Sequence, residues 1–346
     1  MAMNLTGLYG ITVVASLLGA GVTGTVASAE TLSKMAESAV FSSQFRPFSK
    51  TSPWNTPVPT NALVDPDSEK MIVMLSSNAM SLSANIRKWT VPVFTIDSAR
   101  SPRLNVRTTS SCLNPRVDPD GHNIAENLPI PVDVWPDPSE DGHMVLVDIS
   151  KRMCWDYARF VRLSSTVVTA SRIDIWELDG PGYREPFAGS NWWTCGARGS
   201  GTPLLGGLIR TEEVQAGVIR HALAFGCPVN RRSVSPDTKE ELCSPPAQRT
   251  DGEGIGAQYI PEGARLQLDP ALDLQTLKLS PGTLVIARAL QVYGMFNVDN
   301  ASTCSLYFQN VGADGGRWNQ IGTFMDMHNI PLNRFRVLKC EIVVRK

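Results

Sequence analysis

The sequence predicts a mostly β protein: an antiparallel β-sandwich, jelly-roll or lectin-like, with a few short helices. Three observations carry that expectation. Short β-branched runs recur along the chain, Pro- and Gly-rich connections separate them, and helical periodicity is confined to two places. The 346 residues are 42% hydrophobic and 19% charged, values of a globular chain long enough for a substantial core.

Residues 1–29 hold no Asp, Glu, Lys or Arg. Their apolar run from Ile11 to Leu18 is too short to span a bilayer. It leads to Val26-Ala27-Ser28-Ala29, a small-x-small cleavage pattern before Glu30. This segment reads as a secretory signal peptide, so a secreted, extracellular product is expected. Residues 30–60 read as an extended N-terminal segment, with Trp54 between Pro53 and Pro57 docking on the body of the protein. Residues 61–346 read as a single β-rich domain.

Strands are expected at residues 71–75, 89–95, 143–149, 159–163, 167–177, 218–225, 295–299, 305–309 and 337–345. Thr211-Glu212-Glu213-Val214 opens a short helix, with Thr suited to the N-cap and two acids at its positive end. Residues 284, 285, 286, 289, 290 and 293 form an apolar helical stripe, and Gly294 is its stop signal.

The formal net charge of −1 gives no electrostatic case for nucleic acid or an anionic membrane as partner. A monomer is expected. The chain has no GxSxG elbow, no HExxH, no phosphate-binding GxxxxGK[ST] and no dinucleotide fingerprint. Gly199-Ser200-Gly201 lies in a Gly-rich loop without strand-to-helix context. No cofactor is called for. The oxygen-rich stretch from Asp118 to Asn123 could hold a structural calcium but lacks full calcium-loop spacing, and a turn is the simpler reading.

Seven cysteines are present: Cys112, Cys154, Cys195, Cys227, Cys243, Cys304 and Cys340. No CxxC pair or Cys/His cluster has metal-ligand spacing, so no metal site is expected. In an exported chain they read as disulfides, and loop closure favours sequence neighbours. The expected pairs are Cys227–Cys243, Cys304–Cys340 and Cys112–Cys154, with Cys195 left over; an alternative puts Cys195 in a bridge and frees another. The Cys227–Cys243 loop would contribute about 3 kcal/mol in the chain-entropy model.

Candidate site residues are weighed singly. His143 and Asp148 fall on opposite faces of one strand by simple alternation. His221 alternates with core-type residues, which equally suits a hydrogen-bonded structural histidine. Asp299 ends a strand, where β folds present site residues, and Asp-Asn equally suits a turn. Arg265, Gln267 and Asp269 share one polar face that could bind a sugar or carboxylate, or face solvent. Trp192 and Trp193 are adjacent large rings in a loop, of the kind that stacks on pyranose faces.

The run Gly201-Thr202-Pro203-Leu204-Leu205-Gly206-Gly207-Leu208-Ile209-Arg210 leads into the Thr211–Val214 helix and then Ile219-Arg220-His221-Ala222-Leu223. It resembles a pattern in a family of uncharacterised exported bacterial proteins, with a Gly/Leu/Pro-rich run, an Arg-x-x-Glu-Val helix and an Ile-x-His-Ala-Leu strand. Arg265-Leu266, Ala289 through Met295, Asp299-Asn300 and His143-Met144 fit it too. The resemblance implies export and a shared fold, and it assigns no catalytic residue.

The leading expectation is a secreted carbohydrate-active enzyme, a glycoside hydrolase or polysaccharide lyase, acting on an extracellular polysaccharide or oligosaccharide. A hydrolase needs two carboxyls across a cleft, and Asp148, Glu213 and Asp299 are the candidates. A lyase needs a base such as His143, His221 or Tyr293, with Arg265 to neutralise a uronate. The second expectation is a non-catalytic carbohydrate-binding or surface protein. Scatter of His143, His221, Arg265 and Asp299 over separate faces would leave the enzyme reading without the site it was built on.

Overall fold

A computed structural model describes residues 35–79, 81–108, 122–186, 196–238, 240–312, 315–322 and 324–345. The 1–29 segment, Cys112, Cys195, the Trp192-Trp193 pair and most of the Asp118–Asn123 loop lie outside the described residues.

The protein is mostly β, with five sheets and four α-helices among the described residues. The sheets are mixed, which corrects the antiparallel expectation. In the six-stranded sheet, Leu223–Cys227 runs parallel to Met295–Asn300 and antiparallel to Cys304–Tyr307. Leu82–Asn85 then adds in parallel outside Cys304–Tyr307, and Arg265–Leu268 and Phe335–Val337 complete the other edge. In the five-stranded sheet, Gln309–Asn310, Val91–Thr95 and Met144–Asp148 are parallel neighbours, and Met153–Ala158 and Arg172–Glu177 follow antiparallel. Parallel neighbours cannot be joined by a tight turn and need long crossovers. The Pro-rich connection at residues 128–142 is part of such a crossover.

The connection between Val91–Thr95 and Met144–Asp148 supplies two strands of a four-stranded sheet, Arg103–Thr108 and Ile124–Pro129. Val168–Ala170 and Val161–Arg162 provide the other two. The expected strand at 167–177 is therefore two strands, broken at Ser171, where the chain passes from the four-stranded to the five-stranded sheet.

Side-chain alternation explains how these sheets pack. On Met144–Asp148, Val145 and Val147 join a cluster with Ala224, Phe296 and Val298 of the six-stranded sheet. Met144 and Leu146 point the other way, to Leu104, Val106, Ala125 and Val168 of the four-stranded sheet. A strand buried on both faces reads as an unbroken apolar run, as Met144-Val145-Leu146-Val147 does. On the far face of the six-stranded sheet, Leu223, Phe225, Met295 and Leu306 pack under helices α1 (Ser68–Asn78) and α3 (Pro281–Val292). Helices α2 (Thr211–Gln215) and α4 (Trp318–Ile321) are single turns at the rim of that cluster.

Helix α1 contains the expected strand 71–75. Its apolar residues Met71, Ile72 and Leu75 are buried while Val73 is 60% exposed, a helical stripe rather than an alternating one. The expected strand 218–225 shortens to Leu223–Cys227, and 337–345 divides into Phe335–Val337 and Val343–Arg345. The stripe at 284–293 is borne out by α3, whose end is followed by Gly294 at φ +66°. A Cβ there would stand 2.2 Å from the Leu266 carbonyl oxygen. Gly294→Ala is therefore expected to cost at least about 1–3 kcal/mol, measured by urea unfolding.

Residues 35–63 carry no helix or strand. Trp54 ties this segment down. It is 1% exposed, packs edge-on against Phe296, and donates from Nε1 to the Gly182 carbonyl at 2.8 Å.

The expected disulfides need correcting. All five described cysteines, Cys154, Cys227, Cys243, Cys304 and Cys340, are thiols, so neither Cys227–Cys243 nor Cys304–Cys340 is bridged. Sequence proximity misleads because strand pairing decides the neighbours. Cys227 lies in the six-stranded sheet, whereas Cys243 ends Glu241–Cys243, which pairs with Val343–Arg345 in a separate two-stranded sheet.

Candidate functional site

The expected site residues fall in separate places: His143, His221, Arg265 and Asp299 do not converge, so the enzyme reading loses the site it was built on. Asp148 is 1% exposed and closes a turn, accepting from the Ser98 amide at 2.9 Å, the Ser150 hydroxyl at 2.7 Å and the Lys151 amide at 2.9 Å. Burial opposes its ionisation, but these donors win and hold its pKa below the usual carboxylate range. His143 is buried just before the same strand, with Nε2 3.4 Å from the Ala197 carbonyl; burial lowers its pKa.

Glu213 and His221 come together. His221 Nε2 lies 3.0 Å from Glu213 Oε2, and Nδ1 lies 2.9 Å from the Ala222 carbonyl. Arg210 grips the same carboxylate, with Nη2 at 2.6 Å from Oε1 and Nε at 3.1 Å from Oε2. Arg46 approaches at 3.5 Å from the N-terminal segment. Burial alone would raise the Glu213 pKa, but His221 and Arg210 together bring it down to about 2. The cluster is closed to solvent and clamps the N-terminal segment to α2.

Arg265 and Tyr293 also meet, through the main chain. Arg265 Nε donates to the Tyr293 carbonyl at 2.7 Å and Nη2 to the Thr56 carbonyl at 2.6 Å. Burial pulls its pKa down to about 10. Gln267 donates to the Gln291 carbonyl at 2.6 Å and accepts from Arg336 at 2.6 Å, and Asp269 pairs with Arg334. This polar row fastens α3 and the Phe335–Val337 strand to the sheet.

Asp299 alone joins further acidic groups. Asp251, Glu262 and Asp299 each present a carboxylate oxygen, and the three lie within 4.8 Å of one another. They come from three segments: the loop before Gly254–Ile255, the turn after Ile260–Pro261, and the end of Met295–Asn300. A β-bulge aims Asp299. Phe225 pairs with Asn297 but Gly226 with Asp299, so Val298 is an extra residue. Val298 packs between the sheets, and the bulge lets the next side chain reach Tyr307 on that same side.

Close backbone approach completes the cluster. The Gly199 amide donates to Asp299 Oδ1 at 3.1 Å, and a Cβ on Gly199 would stand 2.5 Å from both Asp251 carboxylate oxygens. The Tyr307 hydroxyl donates to Asp299 Oδ2 at 3.1 Å, and Asn300 Nδ2 donates to Asp251 Oδ1 at 2.7 Å. The Asp251 amide donates to Glu262 Oε2 at 2.9 Å. Beneath Tyr307 the wholly buried Arg198 stacks on the ring and donates to the carbonyls of Pro203, Leu204 and Gly206.

Glu262 is wholly buried, Asp299 half-buried, and Asp251 reaches solvent. Burial, followed by the charge of Asp251, raises the Asp299 pKa to about 7. Burial and both neighbouring aspartates push Glu262 well above its ordinary value, and burial raises Asp251. Arg172 acts on both aspartates through space while donating to the Gly196 carbonyl. Around neutral pH such a group shares protons among its members, and its all-oxygen donor set also suits a hard divalent cation.

The cluster adjoins a cavity of about 270 Å³ whose wall includes Asn300 and Tyr307. Trp89, 46% exposed, Asn85, Asp141, Ser302 and Ser305 also line it. Sequence reasoning named Asp299 from its place at a strand end and missed Asp251, Glu262, Tyr307 and Trp89. The Gly199-Ser200-Gly201 loop was the one signal of close approach.

Comparisons with protein-family models, curated proteins and solved structures give no match for this chain.

Proposed function

We propose that the protein is an exported glycoside hydrolase acting on an extracellular polysaccharide, with Asp299 and Asp251 as its working carboxyls. The observation that carries this reading is the cluster of three carboxyl groups beside a cavity with an exposed tryptophan. Sugar rings present apolar faces that stack on indole and hydroxyls that bond amides, and Trp89, Asn85, Asn300 and Ser302 offer both. The other arm of the leading expectation, a lyase, loses support because Arg265 is committed to carbonyls and His221 to Glu213 and a carbonyl.

Carboxylate oxygens no more than 4.8 Å apart are closer than the roughly 6.5–9.5 Å spacing of inverting hydrolysis, which favours the retaining mechanism. Asp299, with a pKa of about 7, carries the proton that goes to the glycosidic oxygen as the C–O bond breaks. Asp251, the solvent-facing member, attacks the anomeric carbon. Water then releases the sugar as Asp299 takes a proton back. Glu262, buried behind them, keeps its proton and limits the cluster's total charge.

The test is a panel of purified polysaccharides assayed for new reducing ends and for unsaturated-uronate absorbance, each with calcium and with a chelator. Reducing ends without uronate absorbance, in both media, are expected. Uronate absorbance would support the lyase, activity abolished by the chelator would assign the cluster to a cation, and binding without turnover would leave a carbohydrate-binding protein.

A further inference from the structure

All four thiols are free in the structure, and we infer that oxidation joins Cys227 to Cys304 across the six-stranded sheet and Cys243 to Cys340 in a second bridge. The pairing follows from strand register. Leu223–Cys227 and Cys304–Tyr307 are antiparallel, with Phe225 opposite Leu306 and Gly226 opposite Ser305. The next pair outward sets Cys227 opposite Cys304. Both belong to the apolar cluster under the helices, so their side chains leave the sheet on the same face. Opposed residues in an antiparallel pair have Cα atoms about 4.5–5.5 Å apart. A disulfide spans about 4.4–6.8 Å between Cα atoms, so no strand has to move.

The second pair rests on the small two-stranded sheet. Cys243 is registered against Val343 in an antiparallel pair, which brings the chain just before Val343 towards the residues that follow Cys243. Cys340 accordingly lines one cavity wall with Ser244 and Pro245, the residues that follow Cys243. The electrostatic influence of Cys227 on Cys304, and of Cys340 on Cys243, is a further sign that each pair is close.

The chemistry is thiol–disulfide exchange. Each pair of thiols gives up two protons and two electrons as the S–S bond forms, and a disulfide-bearing oxidant accepts them and leaves as two thiols. Burial raises the pKa of all four thiols, so little thiolate exists once the sheet is closed. Oxidation therefore belongs to folding, while the strands are still pairing. Gly226 and Ser305, the residue pair beside Cys227 and Cys304, both line the cavity next to the acidic cluster. The first bridge thus fastens the strands that form that wall.

In a cell this cross-link rests on the export reading; supplying the oxidant in vitro separates the two. The full chain is refolded from denaturant with oxidised glutathione, digested without reduction, and its linked peptides are identified by mass spectrometry. Peptides joining Cys227 to Cys304 and Cys243 to Cys340 are expected, together with a melting temperature that falls on reduction. In the Cys227→Ala/Cys304→Ala variant, the Cys243–Cys340 peptide should remain and the fall on reduction should shrink. Peptides joining Cys227 to Cys243 or Cys304 to Cys340, or four freely alkylated thiols, would overturn the assignment.

Discussion

Glu213→Ala is expected to destabilise the protein by about 3–5 kcal/mol, the usual cost of removing one partner from a buried ion pair. The carboxylate is wholly buried, and its loss strands Arg210, whose side chain is 2% exposed. Arg210 would keep the Phe45 carbonyl and the longer contact to Glu212 at 3.6 Å, too little to offset a buried guanidinium. Arg46 would lose its hold on α2, so the N-terminal segment should loosen first. Equilibrium unfolding in urea measures the total, and proteolysis within residues 35–56 measures the loosening. A loss below about 1 kcal/mol would remove Glu213 from its place as the clamp.

The pH dependence has a definite sign. Glu213 falls from the ordinary 4.5 to about 2 on folding, so its contribution is fully present above pH 4.5 and is lost as pH falls through about 2. Glu213→Gln keeps the shape but should lose this acid limb.

Asp299→Asn is expected to lower turnover by about a hundredfold to ten-thousandfold, the range for loss of a general acid. The amide oxygen can still accept from the Gly199 amide, so the fold should persist. The wild-type kcat/KM should fall as pH rises past about 7, where Asp299 loses its proton. Stability carries the opposite sign from Glu213. The folded pKa is raised, so the contribution is full below pH 3.8 and is lost as pH rises through about 7. Asp299→Asn should flatten that slope. Full activity in this variant, on a substrate that the wild type cleaves, would discard the assignment.

What was legible in the sequence follows the range of each signal. Helix α3 could be read because its stripe and Gly294 lie within one stretch. The Met144–Asp148 strand could be read because burial on both faces writes itself as a continuous apolar run. Helix α1 could not, since Met71-Ile72-Val73-Met74-Leu75 is apolar in both periods and only its neighbours decide which face is buried. Glu213 and His221 are each legible singly, but their contact bridges α2 and the connection that follows it. The acidic cluster was illegible for a stronger reason. Asp251, Glu262 and Asp299 share no spacing, and their meeting depends on a glycine at 199 and on the pairing of distant strands.

The extra residue at Val298 has a consequence for change over generations. Asp299 reaches Tyr307 because the backbone is one step out of phase there, not because any side chain steers it. Exchanging Val298 for another apolar residue leaves that phase intact, whereas deleting it would restore plain alternation and turn the acid away from its partners. Position 298 should therefore drift among apolar residues, while the length of the strand segment Asn297–Asp299 should hardly change at all.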